Sequence, residues 1–582
     1  MSTPHANRRF KAALVLTAAL AFLPAALATL GANGTFSAGS ARQVAQPPKP
    51  SPEARVDAVF ARWTTATPGC AVAVSVDDKT VLERAYGMAD LEHGVINTPE
   101  TIFEAGSVSK QFTAAAVLLL TRDGKLALDD AVRKYVPELP DYGSPLTIRM
   151  MLQHTSGLRD WGAVAGIGGW PRTSRVYTHA HVLEIASRQR ALNFQPGTDW
   201  SYSNTGYNLA AIVVARVSGQ PFAEFTRQRV FAPVGMTHTS WRDDFTRIVR
   251  GRAIAYSEQG GRFATEMPFE NVHGNGGLLT TVADLLTWNG NFAAPKVGDA
   301  EFVRLQEEPG RFTDGRRHDY GLGLFVGQYK GLREISHSGS TAGYQAFLTR
   351  FPDERLSVAV LCNSASAAAG RYAHAVADIY LGERARNPEP VEGIAIAADQ
   401  LDLRAGLYRS TRSGAPLTIQ RDQATLRVAA GLTVPAGSSE AGPGTFVPLS
   451  ASRFVSADGG RTLEFAGEKG ARLDAANGTG ATLERAIAVK PTPTQLAEYA
   501  GSYSSDEAEV TMTAVVENGE LRLKRRPDVT VTLKPAYADA FVAPIGTVIF
   551  RRDGSGRVVT FSIVQDRVWD LKFTRQEIPQ GR

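Results

Sequence analysis

The sequence predicts a multidomain chain: an α/β unit, in which one sheet is flanked by helices, followed by two all-β antiparallel barrels. Three observations lead there. Apolar runs of strand length lie at both ends of residues 56–385 with helical periodicity between them, so one sheet must be assembled from both ends of that unit. Past Asn387-Pro388-Glu389-Pro390 the helical periodicity disappears, and short alternating strands separated by polar turns take over. Within that second half the sequence repeats. Gln400-Leu401, Gly406, Tyr408 and Asp458-Gly459 recur as Gln495-Leu496, Gly501, Tyr503 and Asp553-Gly554, each pair separated by the interval from Tyr408 to Tyr503. A length of 582 residues also exceeds what one core normally supports.

Taken in order, Arg8, Arg9 and Lys11 precede an apolar run from Ala12 to Ala28 that closes on Ala26-Leu27-Ala28. This has the three parts of a secretory signal peptide over residues 1–28 and is short for a membrane span, with an uncleaved anchor as the rival reading. Either way the expectation is a periplasmic or secreted protein. Residues 29–55, with Pro47, Pro48, Pro50 and Pro52, read as a flexible spacer. In the unit 56–385, Cys70–Val76 and Val81–Tyr86 read as a hairpin around Asp77-Asp78-Lys79. A helix is expected from near Ser107 through the wholly apolar Ala114–Leu120, stopping at Gly124. Thr147–Gln153 and Tyr207–Ser218 show helical spacing, while Leu332–His337, Tyr344–Phe351 and Leu356–Cys362 read as strands. The two cysteines, Cys70 and Cys362, both lie in strand-like runs; pairing in an oxidising compartment and burial as free thiols both stay open. A linker at 386–398 leads to a first module at 399–488, and a stiff linker at 489–494 leads to a second at 495–577. Closure into barrels removes the exposed edges that such strands would otherwise leave.

Charge and composition exclude several classes. The formal net charge of +5 falls once residues 1–28 are set aside, leaving 60 basic against 58 acidic side chains with no basic run. Nothing there suits nucleic acid or an obligatory membrane surface as partner. Thr178-His179-Ala180-His181 has no Cys or acidic cluster nearby, so no metal is expected. The glycines of Gly166-Ile167-Gly168-Gly169 do not follow a strand and open a helix, so no nucleotide is expected either, and the chain calls for no cofactor.

Three motifs remain that fit acyl transfer. Ser107 and Lys110, three apart, share one helix face, and a lysine at the mouth of a buried helix loses hydration and becomes a candidate base. No other Lys has a Ser at that spacing. Tyr202-Ser203-Asn204 lies in a loop leading into a helix, and His337-Ser338-Gly339 at the end of a strand; neither pattern recurs. Asn204 alone could also be a plain helix cap, and His154 reads as a structural histidine at a loop.

The order Ser-x-x-Lys, Tyr-x-Asn, His-x-Gly resembles the serine penicillin-binding protein and class C β-lactamase superfamily. Leu146 to Leu158, Phe194-Gln195-Pro196-Gly197 and Gly276 to Leu285 strengthen the resemblance, which covers most of residues 56–385. It implies an antiparallel sheet flanked by helices, with Ser107 as nucleophile and Lys110 and Tyr202 jointly as base, Tyr202 being the donor to the leaving group. Asn204 would hold Lys110 and the substrate amide, and the N–H groups of Ser107 and Ser340 would bind the oxyanion. Gly339 would allow close approach. His337, where β-lactamases carry Lys, resembles D-alanyl-D-alanine carboxypeptidases and D-stereospecific peptidases and would face the substrate carboxylate or leaving group, titrating near pH 6 to 7 (roughly its reference value). The duplicated barrels resemble those of D-aminopeptidases, and one of them could send a loop over the site. The resemblance therefore implies a D-stereospecific serine peptidase acting on a small peptide or ester. An esterase on small acyl esters, or a penicillin-binding sensor without turnover, uses the same nucleophile pair.

Overall fold

The computed structural model describes residues 50–173, 175–387, 389–429, 444–475 and 479–577. The expected signal segment 1–28 and spacer positions 29–49 lie outside the described residues. The end of the expected spacer is not flexible: Pro52 to Ala54 form the first turn of helix α1 (Pro52–Phe60), because the Ser51 side chain accepts from the Ala54 N–H and Pro52 suits a first helical position.

The sheet of the α/β unit is built from β1 (Cys70–Val76), β2 (Lys79–Tyr86), β3 (Phe325–Tyr329), β4 (Leu332–Thr341), β5 (Tyr344–Phe351) and β6 (Leu356–Cys362). Their spatial order is β3-β4-β5-β6-β1-β2, antiparallel throughout, so strands from the two ends of the unit meet at the β6–β1 pair. Asp77 and Asp78 both take the left-handed conformation (φ 49° and 62°), which gives the β1–β2 turn the twist a short hairpin needs.

Side chains alternate across this sheet with the strand period of two. Cys70, Val72, Val74, Val358, Val360 and Cys362 face one layer, packed on α1 and on the helix Ala369–Leu381. Ala71, Ala73, Ala359 and Leu361 face the other, packed on the helix Val282–Ala293, in one hydrophobic cluster with α2 (Lys110–Arg122) and the helix Asn204–Ser218. Cys70 and Cys362 oppose each other directly in the β1–β6 register and form a disulfide. Every residue of α2 from Lys110 to Leu120 is buried, as its all-round apolar sequence requires. The helix nevertheless begins later than its spacing suggests. Gly106–Ser109 is a 3₁₀ turn, with Gly106 in the left-handed region (φ 51°) and the Ser109 hydroxyl donating to the Gly106 carbonyl.

The two repeated modules are closed eight-stranded antiparallel barrels. The first closes Gly406–Ser410 against Gly480–Ala486, the second Gly501–Ser505 against Val568–Arg575. The duplicated tyrosines do the same work in each: Tyr408 donates to the Arg404 carbonyl and Tyr503 to the Tyr499 carbonyl, both at 2.9 Å. Their cores differ in one respect. The first barrel encloses its own cluster, whereas the second shares a continuous cluster with Trp161, Val164, Tyr177 and Val182 of the α/β unit. The second barrel is thus packed onto the helices Trp161–Ile167 and His179–Arg188 as part of the same hydrophobic body.

Candidate active site

The fold draws the three motifs to one cleft. Ser107 sits in the 3₁₀ turn, Lys110 opens α2, Tyr202 and Asn204 lie at the entry to the helix Asn204–Ser218, and His337, Gly339 and Ser340 lie along β4. Ser107, Tyr202, Asn204, His337 and Ser340 line the cleft, together with Arg172, Asn275, Phe325 and Arg567.

Lys110 Nζ lies 3.1 Å from Ser107 Oγ, 2.8 Å from Asn204 Oδ1 and 2.7 Å from the Asn275 carbonyl oxygen. Burial, and then the positive charge of Arg567, pull its pKa well below that of a free lysine. A neutral amine has two hydrogens and one lone pair. Asn204 Oδ1 and the Asn275 carbonyl oxygen can only accept, so they take the two hydrogens and leave the lone pair facing the Ser107 hydroxyl. Asn204 is not a helix cap, since that position falls to Ser203. Its backbone N–H and Nδ2 both donate to Asp160 Oδ2, at 2.9 and 2.8 Å, which fixes its Oδ1 toward Lys110. Asp160 Oδ1 accepts from the Ala163 N–H, so the carboxylate that holds Asn204 is itself locked as a helix cap.

Burial pushes the Tyr202 phenol well above its usual range, while Arg567 and the Ser107 hydroxyl pull the other way. Tyr202 is therefore held protonated. Its ring faces Lys110 Nζ at 4.7 Å and lies tilted against the His154 ring, with centroids 4.3 Å apart. His154 is fully buried in the left-handed conformation (φ 61°), and its Nδ1 accepts the Ser203 N–H, so it is part of the floor beneath Tyr202.

His337 departs from the sequence expectation. It is 2 % exposed, and its Nδ1 lies 2.6 Å from the Ser338 carbonyl oxygen, which obliges Nδ1 to carry the proton. Nε2 then accepts from the Tyr320 hydroxyl at 2.9 Å. Burial, helped by Lys110, lowers its pKa to about 3. The titration expected near pH 6 to 7 is thus displaced out of that range, because a fully desolvated imidazole cannot keep a charge.

The two expected oxyanion donors are brought together by glycines. A Cβ on Gly339 would stand 2.0 Å from the Ala105 carbonyl oxygen and 3.1 Å from the Ser107 nitrogen, and one on Gly106 would stand 2.5 Å from the Ser340 nitrogen. Only hydrogen at both positions lets β4 lie against the turn that carries Ser107. Ser107 is in the first turn of its 3₁₀ segment, where N–H groups have no acceptor within the helix.

Several contributors were not legible in the sequence. Behind the nucleophile turn, Glu104 is fully buried and paired with Arg242 at 2.8 and 3.0 Å; Arg242 in turn approaches Glu270, which holds Arg172 at the cleft wall. Arg567 reaches the cleft from the second barrel. Among the described residues no group of His, Cys, Asp and Glu is placed to hold a metal ion, and no helix is long and apolar enough to cross a membrane.

Residues 54–381 match the Beta-lactamase family. Similar proteins include a D-aminopeptidase of Gluconobacter oxydans, 32 % identical over 319 residues that cover 54 % of this chain and 59 % of that protein. A D-aminopeptidase of Brucella anthropi is 30 % identical over 299 residues, 51 % of this chain and 56 % of that protein. The match thus spans little more than half the length of these curated relatives. Among solved structures, the octameric penicillin-binding protein homologue from Pyrococcus abyssi superimposes with a TM-score of 0.52 at 23 % identity, covering 74 % of this chain and 99 % of that one. SurE does so with a TM-score of 0.51 at 22 % identity, covering 75 % of this chain and 100 % of that one. At these identities the likeness is one of fold.

Proposed function

The chain belongs to the beta-lactamase family, and from that premise we propose that it is a serine hydrolase forming an acyl-enzyme on Ser107, with D-configured peptides or amides as substrates. The observation that carries the chemistry is Lys110, buried, depressed in pKa and 3.1 Å from Ser107 Oγ. The substrate class is supported by the D-aminopeptidases to which the α/β unit is similar.

In this reading the substrate carbonyl lies between Ser107 Oγ and the N–H groups of Ser107 and Ser340. Lys110 accepts the hydroxyl proton as Oγ attacks, and the two N–H groups stabilise the oxyanion. Lys110 is then an ammonium 4.7 Å from the Tyr202 ring centroid, which lowers the cost of a phenolate at the moment the leaving nitrogen needs a proton. Tyr202 gives up its proton, the C–N bond breaks, and Lys110 returns the proton to Tyr202. Hydrolysis of the acyl-enzyme reverses these roles, water replacing the amine. His337, neutral and fixed by Tyr320 and Ser338, shapes the cleft wall.

The test compares D-alanyl and L-alanyl p-nitroanilide and p-nitrophenyl acetate with wild type and Ser107→Ala, and follows intact mass after a serine-directed probe. Hydrolysis of the D-amide that is lost in the variant, with the adduct on Ser107, is the expected result. Turnover of the ester alone would remove the peptidase reading, and equal turnover by the variant would remove the acyl-enzyme. We also place the protein outside the cytoplasm. The basic-then-apolar N-terminal segment and the Cys70–Cys362 pair support this, and fractionation of the native host tests it.

A further inference from the structure

We propose that the second barrel supplies a carboxylate-binding subsite to this cleft, with Arg567 as the residue that receives the substrate's carboxylate. The inference rests on the hydrolase reading above and goes beyond it in naming the charge of the substrate.

Arg567 lies in the turn between the last two strands of the second barrel, Val558–Gln565 and Val568–Arg575, and lines the cleft with Ser107 and Asn204. Its guanidinium stands 4.6 Å from the centroid of the Tyr202 ring. The turn is docked by its backbone. The Arg567 carbonyl accepts from the Asp160 N–H at 3.3 Å and from Asn193 Nδ2 at 3.2 Å, and Asn193 Oδ1 accepts the Trp569 N–H at 2.8 Å. Buried Arg159 donates to the Trp569 carbonyl from Nε and Nη2, at 3.2 and 3.0 Å. The turn is therefore held in place before any ligand arrives, and ordering it costs nothing on binding.

While its backbone is fixed, the Arg567 guanidinium makes no hydrogen bond to the described residues. The nearest carboxylates, Asp160 at 3.9 Å and Asp566 at 3.6 Å, lie beyond hydrogen-bond distance, and Nε is buried without a partner. Asp160 is held at that distance by its bonds to Asn204 and Ala163. Among the described residues the only other cation lining the cleft, Arg172, is paired with Glu270. Among the described residues no Asp or Glu lines the cleft. A substrate ammonium would meet a guanidinium there and no carboxylate among the lining residues, whereas a carboxylate would complete Arg567 with charge-assisted hydrogen bonds. Two sources share that chemistry: an acidic acyl residue, or the free C-terminal carboxylate of a leaving amino acid.

The experiment measures kcat/KM on the full chain for matched pairs. The acyl arm uses D-glutamyl, D-glutaminyl and D-lysyl p-nitroanilide; the leaving arm uses N-acetyl-D-alanyl-D-alanine and its C-terminal amide. Wild type should prefer the carboxylate member of one arm by about 10- to 100-fold, chiefly through KM. Arg567→Gln should bring that ratio close to one, and Arg567→Lys should restore part of it. A ratio near one in wild type in both arms, a preference for D-lysyl, or a preference untouched by Arg567→Gln overturns the proposal. If every D-amide is inert while Ser107-dependent ester hydrolysis persists, the peptidase reading fails by itself. The same ratio is then read on succinyl against butyryl p-nitrophenyl esters. No turnover of any acyl substrate overturns both.

Discussion

Replacing Gly339 by alanine should separate catalysis from folding. The added methyl would stand 2.0 Å from the Ala105 carbonyl oxygen, against an ordinary carbon–oxygen contact of about 3.3 Å, so β4 must retreat from the Ser107 turn by roughly 1 Å. The atoms in the way are backbone on both sides and cannot rotate aside. A displacement of that size carries the Ser340 N–H away from the oxyanion; misplacement by about 1 Å, or loss of one such donor, costs on the order of 10²-fold. The expected result for Gly339→Ala is a fall in kcat/KM of about 10²-fold or more that resides in kcat. The backbone of Gly339 lies outside the left-handed region, so the stability cost is only that of local overpacking, about 1–3 kcal/mol. Steady-state kinetics on the preferred substrate, beside thermal unfolding, would check both. A stable variant with kcat/KM within about threefold of wild type would refute the two-donor geometry, since the clash cannot be absorbed without moving Ser340.

Other outcomes follow from the same geometry. The acid limb of kcat/KM should report deprotonation of Lys110; Asp160→Asn, which removes a neighbour that raises the Lys110 pKa, should move that limb to lower pH in pH–rate profiles. His337 and His318 are lowered by burial to about 3 and about 4, so each is neutral when folded and free to protonate when unfolded. Their contribution to stability is complete above about pH 6.5 and is lost as pH falls toward the folded values, by about 1.4 kcal/mol per unit per histidine, and urea midpoints should drop between pH 7 and 5. Breaking the Cys70–Cys362 bond, which closes a loop with a sequence separation of 292, should cost about 2–4 kcal/mol in denaturant unfolding with and without reductant.

What the sequence made legible was whatever depends on local spacing. The all-apolar run behind Lys110, the alternation in β1 and β6 and the repeated tyrosines each announce a structure that neighbouring residues determine. The rest depends on contacts between distant segments. Nothing in the local pattern of Asp566-Arg567 marks it as part of a site; its place depends on the barrel docked on Asp160 and Asn193. Glu104, Arg242, Glu270 and Arg172 lie far apart in sequence with no local signal of pairing, and only their mutual pairing permits their burial. His337 is legible as a motif residue, but its neutral state is not, because its burial against Tyr320 is a tertiary fact.

The placement of Arg567 ties substrate charge to the strength of the base. In the free protein its positive charge helps keep Lys110 neutral and eases ionisation of Tyr202, while Asp160 opposes both effects. A carboxylate bound to Arg567 would neutralise much of that field. Lys110, already stripped of its proton, would then become the stronger base when Ser107 must lose its own, and its pKa in the complex would lie above that in the free enzyme. The acid limb of kcat, which reports the complex, should therefore lie at higher pH than that of kcat/KM for a carboxylate substrate. For the matched neutral substrate the two limbs should coincide more closely, and in Arg567→Gln the difference between substrates should vanish. Profiles of kcat and kcat/KM for one such pair decide it. A carboxylate substrate whose kcat limb falls at or below its kcat/KM limb would show that Arg567 does not couple the bound charge to Lys110.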